Sequence, residues 1–155
     1  MNNSIFLIVV AQMFGTSLWF STNGVLKQIE QIWSLSTSDL GLLTNSVQFG
    51  FITGTLLFSV TGFADKFKPS RIVMLCCFLG ATSNALIVFE EISFTFVIFS
   101  RLIVGVALAG IYPIGMKLII SWNPQKAPNT LGLLVGMLVL GSSLPYLIRA
   151  LGISF

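Results

Sequence analysis

Arg101 is the side chain in this sequence whose position most demands a chemical reason. It stands seven residues into an otherwise uncharged run that opens at Phe94, about 10 Å along a helix axis. An arginine held at that depth in hydrocarbon costs about 2–4 kcal/mol unless it faces a cavity or a partner. It therefore marks either a binding charge for an anionic solute or a guanidinium that snorkels to the headgroups. Hydrogen-bonding groups recur in the same kind of surroundings. Gln12, Thr16, Trp19 and Asn23 follow at i, i+4, i+7 and i+11, one face of a helix. Thr44, Asn45 and Gln48 lie in the first half of another apolar run, and Tyr112 precedes Pro113 in the run that holds Arg101. A polar face in lipid must look at protein or water, so these residues are either helix-packing groups or the wall of a polar cavity. Arg101, Gln12, Asn45, Gln48 and Tyr112 are the candidate solute contacts.

That chemistry is recognition and not bond-making. The chain contains no histidine, which removes imidazole metal ligands, general bases and proton relays. Its two cysteines, Cys76 and Cys77, are neighbours in an apolar run, and adjacent helical positions point about 100° apart, unsuited to a disulfide or a shared metal. No Asp or Glu lies well inside an apolar run. No catalytic activity, metal or cofactor is expected.

The elements that must position these groups are membrane helices. Hydrophobic residues make up 55% of the chain and charged residues 8%, far below the roughly 25% charged of soluble domains. Leu40 to Ala64 and Ile72 to Phe89 carry no charge at all, and roughly 18 such residues cross a bilayer core as a helix. Five transmembrane helices are predicted, over residues 5–26, 40–63, 72–89, 94–120 and 130–148. The third is the blandest and is expected to face lipid most. The intervening 27–39 stretch reads as a polar loop, with Ser38-Asp39 as the N-cap of the second helix. The amino end has neither a positive n-region nor an Ala-x-Ala cleavage site, so the first helix reads as retained. Gly50/Gly54 and Gly132/Gly136 have the small-xxx-small spacing that lets helices approach closely. The net charge of +3 gathers in the 64–71 and 121–129 loops, which the positive-inside rule puts in the cytoplasm along with the amino terminus. The 27–39 and 90–93 loops, the latter holding Glu90 and Glu91, then lie outside. Basic charge distributed this way reports topology and not nucleic-acid binding.

Two segments resemble the major facilitator superfamily. Thr61-Gly62-Phe63-Ala64-Asp65-Lys66-Phe67-Lys68-Pro69-Ser70-Arg71 is similar to its signature loop between the second and third helices, Gly-x-Leu-Ala-Asp-Arg-x-Gly-Arg-Arg. Ala64, Asp65 and Lys66 fit that pattern; Thr61 and Lys68 stand in place of its glycines. Arg101-Leu-Ile-Val-Gly105-Val-Ala107-Leu-Ala109 resembles the fourth-helix motif Arg-x-x-Gln-Gly-x-Gly-Ala-Ala, with Val104 in place of Gln and Ala107 in place of the second Gly. The fifth run lacks the Gly-Pro motif of the drug antiporters, since Gly141-Ser-Ser-Leu-Pro145 does not match it. The resemblance implies a secondary transporter in the plasma membrane that moves a small solute by alternating access. Arg101 would lie on the solute or coupling pathway, and Asp65, Lys66 and Arg71 would form a cytoplasmic latch. It also implies an all-α polytopic fold of which residues 1–155 supply an incomplete N-terminal bundle, five helices of six. Such a part is expected to be inactive alone and to be completed by a C-terminal portion, on the same or a separate chain. Leu40-Gly-Leu-Leu and Leu131-Gly-Leu-Leu, each followed by a glycine seven residues on (Gly50 and Gly141), fit an inverted three-plus-three repeat. The alternative is a small membrane subunit that packs against another protein through its glycine faces.

Overall fold

The computed structural model describes residues 3–88, 93–122 and 124–151. Its elements are α1 (Asn3–Phe20), α2 (Leu26–Trp33), α3 (Thr37–Thr61), α4 (Phe63–Lys66), α5 (Pro69–Ala85), α6 (Phe94–Trp122) and α7 (Ala127–Ala150). Short 3₁₀ turns follow α1 (Ser21–Gly24), α5 (Leu86–Val88) and α6 (Pro124–Lys126). Four segments, built on α1, α3, α6 and α7, are long and apolar enough to cross a membrane. The fifth, α5, has 17 helical residues. Together with its 3₁₀ turn it reaches about 30 Å, still the thickness of a bilayer core. The chain is an all-α, multi-pass membrane protein.

Several boundaries differ from expectation for local reasons. The 27–39 stretch is not an open loop, because its Leu26–Trp33 segment forms α2. That helix buries Ile29 in a cluster with Leu43 and Val97 while Lys27, Glu30 and Gln31 stay exposed, the pattern of an amphipathic helix lying at the interface. It ends at Ser34, in the left-handed region at φ 49°. The cap of α3 is Ser36 and not Ser38: Asp39 N–H donates to the Ser36 hydroxyl over 3.2 Å, and Ser36 N–H donates to the Asp39 carboxylate over 2.9 Å. This capping box gives Asp39 a structural job and starts the helix three residues before Leu40. Gly62, at φ 60°, ends α3 in a conformation that a side chain would strain. Pro69 opens α5 at its first turn, where a missing N–H costs nothing. The α6 helix runs through Pro113 as one element. Glu90 and Glu91 lie outside the described residues.

The core is built around α6. In its spanning window 56% of residues are buried, against 11% for α7; α7 buries four of its 24 residues and α5 four of its 17, so α7 is the more exposed of those two helices. α3 runs alongside α6 in the same direction, with Gly50 and Gly54 seated on Leu102, Gly105, Val106 and Ala109. Contact is close enough that a Cβ on Gly50 would be driven into the Leu102 carbonyl. α5 covers the next face of α6, where Gly110 meets Cys76; both cysteines are free. Val47, Ile72, Val104, Leu108, Ile111 and Ile114 fill the space between these three helices. α7 runs alongside α1, with Gly141 against Met13 and Thr16, and Leu134 packed with Ile5, Val9 and Ile119. Gly132 and Gly136 face open space and meet no other helix among the described residues.

The repeat read from the sequence has a structural counterpart. α6 begins 91 residues after α1 (Asn3 to Phe94), and α7 begins 90 after α3 (Thr37 to Ala127). Gly50 seats α3 on α6, and its counterpart Gly141 seats α7 on α1. The two parallel pairs meet antiparallel, Ile5 near Ile119 and Leu18 near Arg101. α6 has a third helix, α5, on its remaining side. On α1 the corresponding side, carrying Leu7, Ala11 and Phe14, is exposed.

Candidate functional site

Arg101 is 1% exposed, enclosed within the helix bundle. Its Nη2 donates to the Trp19 carbonyl over 2.7 Å, and its Nη1 donates to the Leu18 carbonyl over 3.2 Å and to Asn84 Oδ1 over 2.8 Å. The Ser21 hydroxyl lies 3.5 Å from the same Nη1 and 2.8 Å from Asn84 Oδ1. Leu18 and Trp19 belong to the last turn of α1, where backbone carbonyls lack intrahelical donors and the helix dipole favours a cation. Among the described residues the ion pair Lys117–Asp65 is the only one, so the guanidinium is balanced by carbonyl and amide dipoles. Nε remains without a partner.

Gln12 is fully buried and turns toward α6. Its Nε2 donates to the Ile111 carbonyl over 2.6 Å, and Gly115 leaves the room the amide occupies. Oε1 has no partner. Gln12 also closes the floor of a cleft of about 240 Å³ between α1, α5 and α6, lined by Leu7, Ala11, Val73, Leu118 and Trp122. Thr16 satisfies itself on the Gln12 carbonyl over 2.7 Å. Tyr112 is half-buried against the cluster formed by Ile5, Val9, Ile119 and Leu134. Asn45 and Gln48 sit on the exposed face of α3. The structure thus brings Gln12 and Arg101 to one interface, that of α1 with α6, at points six residues apart along α1 (Gln12 and Leu18). It does not bring Asn45, Gln48 and Tyr112 together with them.

At the opposite end of α6, Lys117 is paired with the Asp65 carboxylate. The side chains are 48% and 75% exposed, so the pair contributes about 0.2–1 kcal/mol. Lys66 and Arg71 are exposed and are not the partners of Asp65. No group of three metal-ligating side chains occurs among the described residues.

Four residues of these networks were not singled out from the sequence. Asn84 is the only amide of the third apolar run and could have been noticed on that ground. Ser21 follows the last residue of α1, and nothing in its neighbours distinguishes it. Lys117 is a charge near the end of the run that holds Arg101, and nothing in its neighbours names a partner. Arg149, near the end of α7, donates to the Gly24 carbonyl over 3.3 Å and adds a second arginine to the chain that leaves α1.

The family model described as Major Facilitator Superfamily matches residues 5–154, nearly the whole chain. No curated protein and no solved structure matches it. A multi-pass bundle with paired inverted helices, an acidic-basic turn after α3 and a buried arginine in α6 meets that match along its full length: the chain belongs to the Major Facilitator Superfamily, a family of transporters.

Proposed function

We propose that this chain supplies five helices of the first bundle of a secondary transporter, which moves a small solute across the plasma membrane by alternating access. The observation that carries the reading is the inverted pairing of α1·α7 with α6·α3, in which Gly141 and Gly50 play the same part. Inverted repeats of this kind place solute sites at the interface between repeats and let a bundle rock as one body. The loops around Asp65 and Lys126 lie in the cytoplasm, following their basic charge, and the amino terminus lies there too because the first two spans separate it from the Asp65 loop.

In this reading Asn45 and Gln48, exposed on α3, offer amides to the solute path; Tyr112 and the free Oε1 of Gln12 are separate polar groups, where α1 meets α6. Asp65, paired with Lys117 and flanked by Lys66 and Arg71, acts as the cytoplasmic latch. The uncovered face of α1 at Leu7, Ala11 and Phe14 takes the helix equivalent to α5, and the α3 face meets a second bundle. Both come from a further portion of the transporter, on the same or a separate polypeptide.

The test is transport in liposomes with pooled radiolabelled solutes. The 155-residue chain alone should give no saturable uptake, and co-expression with the coding sequence that follows it should restore uptake. Saturable uptake by the isolated chain would overturn the incomplete-bundle reading. A second reading, a packing subunit for another membrane protein, has one observation in its favour: the unoccupied Gly132/Gly136 stripe on α7. It predicts co-purification with a non-transporter membrane protein, lost on Gly136→Leu.

A further inference from the structure

We propose that Arg101, Ser21 and Asn84 form a cap in trans on the end of α1, with Asn84 the residue that positions the arginine fork. The argument begins from an asymmetry between the repeats. α6 runs for 29 residues, whereas its counterpart α1 gives way after 18 to the 3₁₀ turn Ser21–Gly24. A helix that stops inside protein leaves its final carbonyls without donors, and each needs another partner or is costly. Here the donors come from another helix. Arg101 serves two of those carbonyls at once, Leu18 through Nη1 and Trp19 through Nη2. A guanidinium does this because its N–H groups form a rigid planar fork; an ammonium at the same place is a single point charge.

The fork must be held at one rotation to reach both carbonyls. Asn84 supplies that restraint from α5, with Oδ1 accepting from Nη1 over 2.8 Å and from the Ser21 hydroxyl over 2.8 Å. Ser100, one residue before Arg101, donates to the Ser83 carbonyl, one residue before Asn84, which fixes α5 and α6 in register beside the clasp. Three helices and the first residue of the turn are therefore tied at a single buried point. With α1 clasped to α5 and α6, the α1·α7 pair and the α6·α3 pair move together, as rocking of a bundle requires. Arg101 acts here on helix position and not by touching solute. The clasp does not depend on which solute is carried, so its test can fail while the transporter reading stands.

The experiment places a reporter cysteine at Asn23 (Asn23→Cys) in purified protein in nanodiscs, with Cys76→Ala and Cys77→Ala. The rate of maleimide labelling reads opening of the α1 end. Arg101→Gln and Asn84→Leu should each raise the rate about tenfold, as expected when hydrogen bonds to a buried charge are lost from a local opening equilibrium. Asn84→Asp, which keeps the acceptor oxygen, should label at the parent rate. Arg101→Gln combined with Asn84→Leu should be no faster than Arg101→Gln alone, because the two act as one unit. A reporter at Gly132 (Gly132→Cys), on the exposed face of α7, should be unaffected throughout. Parent-rate labelling in Asn84→Leu, multiplicative effects in the double variant, or an equal rise at Gly132 would each overturn the proposal. Where Asn84→Leu yields no protein, Ser21→Ala carries the test: a faster Asn23 reporter supports the clasp, and the parent rate overturns it.

Discussion

Gly50→Ala and Gly132→Ala are the same chemical change in helices of the same chain, and they should have opposite signs. At Gly50 the added methyl would be driven into the Leu102 carbonyl, with its carbon at 2.9 Å and Gly105 Cα at 3.1 Å. Those atoms are backbone, so no rotamer change relieves the clash. α3 must back away from α6, and the contacts of Val47 and Phe51 with Val104 and Leu108 loosen with it. Overpacking a close interface costs about 1–3 kcal/mol, partly offset by the roughly 0.5–1 kcal/mol that alanine gains over glycine inside a helix. The net effect expected is a loss of up to about 2.5 kcal/mol, centred near 1 kcal/mol. At Gly132 nothing lies within 4 Å of the new methyl, so only the propensity gain remains, about 0.5–1 kcal/mol in favour of the variant. Thermal unfolding in a mild detergent, followed by circular dichroism or by a fluorogenic maleimide that reacts with the buried Cys76 thiol as it becomes exposed, measures both. For a chain of this size 1 kcal/mol is worth about 2–4 °C. Gly50→Ala should melt lower than the parent and Gly132→Ala at or above it. A Gly50→Ala protein as stable as the parent would refute the close α3–α6 crossing, and a destabilised Gly132→Ala would mean that α7 packs there against something else.

Three further outcomes follow from the same geometry. Asp65→Asn and Lys117→Gln should each change stability by no more than about 1 kcal/mol, and the double variant should equal either single one. In a complete transporter Asp65→Asn should alter transport rate more than solute affinity, because it shifts a conformational equilibrium; an unchanged rate would reduce the pair to a solvated surface contact. Ser36→Ala removes the α3 cap and should cost about 1 kcal/mol, with Ser36→Asp restoring most of it, read by thermal unfolding. Single cysteines at Ser70 and Ser93, in a chain lacking Cys76 and Cys77, should react with an impermeant reagent on intact cells at Ser93 and not at Ser70; the reverse pattern would invert the topology.

The sequence by itself determined the class, the helices and the repeat. A charge content of 8% with uncharged runs of bilayer length admits no soluble fold, and most helix ends were legible to within a few residues because charges, prolines and caps interrupt those runs; the exception is the first helix, expected to reach Leu26, which stops at Phe20. The α2 helix escaped notice because an eight-residue amphipathic segment is too short to show periodicity beside long apolar runs. Partnership was not legible either, since it depends on which helix faces meet between segments distant in the chain. Gly50/Gly54 and Gly132/Gly136 carry the same spacing, yet one stripe is pressed against α6 and the other looks outward. Arg101 drew attention by its depth alone, but depth says only that a partner is needed. That the partners are the Leu18 and Trp19 carbonyls and Asn84, 17 residues before it, was decided by where α1 stops and how α5 and α6 are set against it. Asp65 likewise found its counter-charge at Lys117, 52 residues away, and not in the basic residues beside it, because the packing of α3 and α5 on α6 brings those two ends together.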